Sequence, residues 1–120
     1  MSGLERKSID KPDEVRTFDK GSVEIVQLGS VTFSRAVFQP GWRWSECVKP
    51  IAGTDWCQAQ HKTYIQSGSL GVRLQDGTEL VGNAGDVLVI PPGHDGWVIG
   101  EEPCVSFDFD DSAANYAKPA

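Results

Sequence analysis

The chain has 120 residues, of which 39% are hydrophobic and 23% charged, and its formal net charge is −6. That length fits one domain of ordinary globular composition, and the longest apolar run, Val87 to Ile90, is far short of the ~20 residues a membrane-spanning helix needs. The basic residues number eleven and are scattered, which argues against a phosphate-binding surface, so neither nucleic acid nor a membrane is expected as a partner.

Residues 1–20 are polar and charged, include Pro12 and show little periodicity. They read as an N-terminal arm that is disordered or lies along the body of the protein or a partner subunit. No apolar stretch follows Met1 to Lys7, so no signal peptide is expected and the protein is placed in the cytoplasm. From Gly21 the pattern changes to short apolar runs punctuated by glycine. Val23 to Leu28 predicts a strand, and Val31 to Phe38 another, with Val31, Phe33 and Val37 on one face at period two. Pro40-Gly41 ends it. Trp42 to Asp55 lacks clean alternation and reads as a long loop with a short strand around Trp42 to Trp44. Trp56 to Ser67 predicts a strand, and Leu70, Val72 and Leu74 share a face of the next. Asp76-Gly77 is a tight-hairpin signal before Glu79-Leu80-Val81. Val87 to Ile90 is stopped by Pro91-Pro92-Gly93, since proline cannot continue a central ladder. Trp97 to Ile99 and Cys104 to Phe109 complete the strands. No stretch has helical periodicity, although Ser112 to Ala117 would allow one turn. About eight short strands with regular turn signals imply an all-β sandwich or barrel, with the barrel over residues 21–111 and a tail over 112–120.

Three cysteines, Cys47, Cys57 and Cys104, without a C-x-x-C spacing, argue against a disulfide framework and a zinc knuckle, and reduced thiols fit the cytoplasm. Cys104, inside an apolar strand, reads as a small buried hydrophobe. Glu101-Glu102 and the cluster Asp108, Asp110 and Asp111 read as solvated strand ends.

Gly85-Asp86-Val87-Leu88-Val89-Ile90-Pro91-Pro92-Gly93 has the form glycine, five residues, proline, any residue, glycine. Tyr64-Ile65-Gln66-Ser67-Gly68 lies upstream as a strand ending on glycine. Together these segments resemble the two cupin motifs over roughly residues 21–110, and the chain is similar to a group of short single-domain bacterial cupins. The resemblance implies a cupin-type double-stranded β-helix, that is, a jelly-roll barrel, and commonly a homodimer that buries one sheet face or exchanges an N-terminal strand. It also implies a metal centre of three histidines and one glutamate inside the barrel. Here those positions are occupied by Asp55 and Cys57, by His61 and by Gly96, while a histidine stands two residues early, at His94.

The scaffold residues are thus kept and the ligands altered. His61 is expected on the inward face with Thr63 and Ile65, and His94 in the corner turn near the barrel mouth, where Asp95 would orient its ring. His61, His94 and Cys57, or Asp55 in place of the thiol, form the candidate set for one divalent metal: zinc, nickel, iron or manganese. The opposing reading is an interior hydrogen-bonded His61 and an exposed His94. Trp44 and Trp97 suit the wall of a small-ligand pocket, together with Asp55, Thr63, Ile65 and Asp95, and suit equally a packed core or dimer interface. The leading functional expectation is a barrel that binds a small organic ligand, with at most one metal. The rivals are a metal-dependent oxygenase or isomerase using His61 and His94, and a structural dimer module.

Overall fold

Alternating burial is the rule along the strands of the computed structural model, which describes residues 3–110 and 116–118. Along β3 (Val31–Phe38), Thr32, Ser34, Ala36 and Phe38 are buried while the residues between them turn outward. The other strands are β1 (Glu14–Phe18), β2 (Gly21–Leu28), β4 (His61–Ser67), β5 (Ser69–Leu74), β6 (Glu79–Asn83), β7 (Val87–Ile90), β8 (His94–Ile99) and β9 (Cys104–Asp108). They form two antiparallel sheets, one ordered β1-β2-β3-β9-β4-β7 and the other β6-β5-β8. The inward side chains of both, among them Val23, Ile25, Ile65, Leu70, Val72 and Val98, join in one core. The last strand, β9, inserts between β3 and β4, so the chain alternates between sheets as a jelly roll does.

Gly68 joins the two sheets at a corner where only glycine fits. Its φ is +78°, and a Cβ there would lie 2.4 Å from the carbonyl oxygen of Pro103.

Three expectations change. Within the segment read as an arm, Glu14 to Phe18 pairs in register with Ile25 to Gly21 and forms the sheet's edge strand. The segment read as a long loop with a strand near Trp42 contains two short helices, α1 (Trp44–Cys47) and α2 (Lys49–Ala52). Four residues are too few to display a 3.6-residue period, although Pro50 at the start of α2 and Gly53 at its left-handed C-cap are ordinary helix punctuation. In place of the expected strand there is an isolated antiparallel bridge between Arg43 and Trp97. Finally, β4 begins at His61, not at Trp56. The helical turn considered for Ser112 to Ala117 falls largely on 111–115, outside the described residues.

Candidate metal centre

Two strands and one bridge bring the candidate ligands together. Alternation along β4 turns Thr63 and Ile65 into the core, and His61 shares their phase at the strand's open end. His94 is the first residue of β8, buried with Gly96 and Val98 on the same face, so it is neither exposed nor in the turn. A residue two positions from Gly96 keeps its side of the sheet and moves only one repeat along the strand, about 6.7 Å. Cys57 lies outside the strands but is fixed by an antiparallel bridge to His94. Its N–H donates to the His94 carbonyl at 2.8 Å, and the Gly93 N–H donates to its carbonyl at 2.7 Å. The donor atoms of Cys57, His61 and His94 consequently all lie within 4.8 Å of one another. Cys57 Sγ is 3.9 Å from His61 Nε2, and the two imidazole centroids are 5.1 Å apart.

Each histidine has its other nitrogen engaged. His94 Nδ1–H donates to the Pro91 carbonyl at 2.7 Å, which turns Nε2 to the Cys57 thiol. His61 Nδ1–H donates to the Asp108 carboxylate. Asp108 is itself held, because its second oxygen accepts the backbone N–H groups of Lys62 at 3.3 Å and Asp110 at 2.9 Å. Nδ1–H groups anchored in this way, with each ring's Nε2 turned toward the thiol, are the outer-shell arrangement of metal-ligating histidines.

The electrostatics follow from these contacts. Burial would push the Cys57 thiol up, but hydrogen bonds with His61 and His94 outweigh it and bring the group down to about 6. Burial likewise disfavours a charged His61, yet the bonds to Asp108 and Cys57 raise that ring to about 9. Both shifts favour the thiolate and imidazolium forms of the pair. Cys104, by contrast, is pushed up by burial to about 11 and stays an inert thiol.

Beside the two histidines lies a cavity of about 40 Å³, walled among others by Trp42, Trp44, Thr63, Ser106 and Tyr116. The space admits water and is continuous with the surface between these side chains. Trp42 Nε1–H is buried without a hydrogen-bond partner among the described residues. A side chain on Gly96 would run toward the Trp42 ring, whose Cζ3 is 3.7 Å from an added Cβ. The indole thus occupies the direction in which a histidine at that position would extend.

The remaining sequence-derived candidates separate. Trp44 and Thr63 line the cavity, whereas Ile65 is wholly buried in the core without reaching the cavity wall. Asp55 is not a ligand: its side chain is 90% exposed and pairs with Lys49 at 3.6 Å. The chain before β4 is not extended strand, so alternation does not carry Asp55 inward with Cys57. Asp95 and Trp97 are in the opposite phase of β8 from His94. Asp95 accepts the Ser45 N–H at 3.1 Å and lies 3.5 Å from Arg43, so it secures α1 and does not orient His94. Trp97 covers Gly71 and carries the Arg43 guanidinium 4.8 Å above its ring.

Two residues of the site were not anticipated. Asp108, read as a solvated strand end, is 8% exposed and bonds to His61. Its period-two phase with Cys104 and Ser106 was the available signal, since all three face inward on β9. Tyr116, placed in the tail, is buried against His61 with ring centroids 5.5 Å apart, and its carbonyl accepts from Arg16 at 2.6 Å. No local pattern marks it.

No protein-family model matches the sequence, and no curated protein matches it either. Solved structures do match. An oxalate decarboxylase of Lactobacillus farciminis aligns with a TM-score of 0.58 at 21% identity over 89% of this chain, which spans only 31% of that one. A cupin-like protein of Thermotoga maritima aligns at 0.54 and 18% identity, covering 81% of this chain and 73% of the other. A protein of unknown function from Acidithiobacillus ferrooxidans aligns at 0.57 and 16%, covering 83% and 88%. At such identities the likeness concerns the fold, and the fold is the cupin-type jelly roll.

Proposed function

We propose that this chain is a small cupin-fold protein that holds one divalent metal through Cys57, His61 and His94 and leaves a coordination position open to a small cavity. The observation that carries the reading is the convergence of three donors within 4.8 Å, with both imidazoles anchored through Nδ1. One thiolate and two imidazoles form a borderline-soft set that suits zinc, then nickel or iron, and suits manganese least, because manganese favours oxygen donors. Three protein ligands are the usual complement of a catalytic site with an open position. A metal held there would polarise an oxygen or nitrogen atom of a bound ligand.

The cavity narrows the ligand class. Its walls of Phe38, Trp42, Trp44, Leu70, Val72 and Ile90 beside the two histidines suit a small, largely apolar organic molecule with one polar group turned to the metal. An acceptor on such a ligand would also relieve the buried Trp42 Nε1–H, whose isolation costs about 1–3 kcal/mol. Cys57, His61 and Asp108 also have the order nucleophile, base and carboxylate. That reading is weaker, because Cys57 is 3% exposed and absent from the cavity wall, whereas ligation requires no contact between the thiol and substrate.

Three free cysteines support a reducing, cytoplasmic setting. Among the described residues no helix is long and apolar enough to cross a membrane. Elemental analysis of protein purified without a histidine tag tests the proposal. Close to one metal per chain is expected after supplementation with zinc, nickel, iron or manganese, falling to background in the His61→Ala, His94→Ala variant. Wild-type protein that stays metal-free throughout would refute it.

A further inference from the structure

Metal-ligating histidines need the proton on the nitrogen that faces away from the ion, and in this fold the residue able to enforce that at His61 comes from the neighbouring strand. Asp108 stands opposite Thr63 in the β4–β9 pairing. One of its oxygens accepts the backbone N–H groups of Lys62 and Asp110, which fixes the plane and position of the carboxylate. The other accepts His61 Nδ1–H. The ring then presents Nε2 toward Cys57 Sγ.

Resting on the metal reading above, we infer that Asp108 is the positioning residue of the centre: it sets the tautomer and direction of His61 so that Nε2 is available as a ligand. An unusual ranking of variants follows. In Asp108→Asn the amide oxygen is claimed by the two backbone N–H groups, so the NH2 group faces His61. Having only protons to offer, it forces Nδ1 to accept and places the ring proton on Nε2, the nitrogen a metal needs bare. In Asp108→Ala the lock is removed but no opposite tautomer is imposed. A residue with a structural role alone would rank the other way, since alanine leaves two backbone donors and a gap whereas asparagine fills the same volume.

The experiment uses cobalt(II) as probe, with affinity measured by chelator competition and the ligand set by the thiolate-to-cobalt charge-transfer band. The tautomer of His61 is read in metal-free protein by nitrogen-15 correlation spectra in alkaline solution, where the ring is neutral. Wild type is expected to bind tightest, Asp108→Ala more weakly, and Asp108→Asn weakest, the last by roughly 10–100-fold. The Nδ1–H signature of wild type should become Nε2–H in Asp108→Asn. Equal cobalt affinity in wild type and Asp108→Asn, or a weaker alanine than asparagine variant, would overturn the assignment while leaving the metal site standing. Absence of cobalt binding by wild type would sink the metal reading instead, and the tautomer spectra then decide the role of Asp108 alone. Should Asp108→Asn fail to fold, Asp108→Glu carries the test: it restores an acceptor at Nδ1, so it must bind cobalt more tightly than Asp108→Ala.

Discussion

Two opposed titrations are superposed at Cys57 and His61. The thiol is lowered from 9.0 to about 6, so by itself it adds stability above its unfolded value and loses it as pH falls through 6. The imidazole is raised from 6.5 to about 9, so its contribution is complete below 6.5 and is lost as pH rises through 9. Between about 6.5 and 9 the two slopes, each about 1.4 kcal/mol per pH unit, have opposite signs and nearly cancel. Metal-free wild type should therefore show almost level urea midpoints across that window. Cys57→Ala removes the rising limb, and its stability should fall as pH increases from about 6.5. A steep slope in wild type would contradict the ion pair, and a level one in the variant would show that the Asp108 bond alone does not hold His61 up. The same residues mark what was legible at this scale. His61 and Cys57 were identified because motif register places them. His94 was assigned to the candidate set but to the corner turn, because β8 begins at His94, three residues before the expected Trp97, and strand phase decides its direction. Asp108 was missed because a carboxylate at a strand end is ordinarily solvated, and only its partner on β4 makes it otherwise.

Between β5 and β8 a glycine and a tryptophan interlock. Gly71 is opposite Trp97, and a Cβ on it would lie 2.3 Å from the indole Cε2. Gly71→Ala must lift the ring, disturb the Arg43 stack above it and loosen the strand pair, at a cost of about 1–3 kcal/mol. Gly96 is the control on the same pair of strands. Its added methyl would meet Gly71 O at 3.5 Å and Trp42 Cζ3 at 3.7 Å, ordinary contacts, so Gly96→Ala should change stability much less. Thermal denaturation of the two variants side by side checks the contrast, and equal losses would show that Trp97 is free to move aside. An element such as β5 was legible because Leu70, Val72 and Leu74 alternate over five positions, a local signal, whereas β8 showed only its end, Trp97 to Ile99. The helices α1 and α2 were not, since four-residue helices depend on tertiary anchors such as the Asp95 bond to the Ser45 N–H. Nor was the order of the sheets, because the insertion of β9 between β3 and β4 is a long-range choice that no strand's own pattern records.

One outer face of the molecule carries more large apolar side chains than a solvated sheet needs. In the six-stranded sheet the strands β3, β9, β4 and β7 turn outward Phe33, Phe107, Tyr64, Val87 and Val89, with Phe109 beside them, while Lys62 opposite Val89 and Arg35 opposite Phe107 supply charge on the same face. Val87 is 74% exposed, Val89 67% and Phe109 53%, on a surface with no covering layer among the described residues. Scattered single apolar residues are normal on a surface, but a contiguous patch marks an interface. A second copy of the chain is the proposed cover, joined face to face about a twofold axis, which makes one patch complementary to itself. Both valines belong to a short edge strand and point away from the core, so charging them leaves the fold and the Cys57–His61–His94 cluster intact. Replacing Val87 and Val89 by lysine forfeits about 3 kcal/mol of buried apolar surface per chain, before any cost of desolvating the charges. Both chains lose this in a symmetric dimer, so dimerisation weakens by roughly ten-thousandfold. Sedimentation equilibrium should find wild type dimeric at micromolar concentration and the double variant monomeric with an unchanged far-ultraviolet spectrum. A monomeric wild type, or a double variant that still dimerises, would show that this face is not where two copies meet.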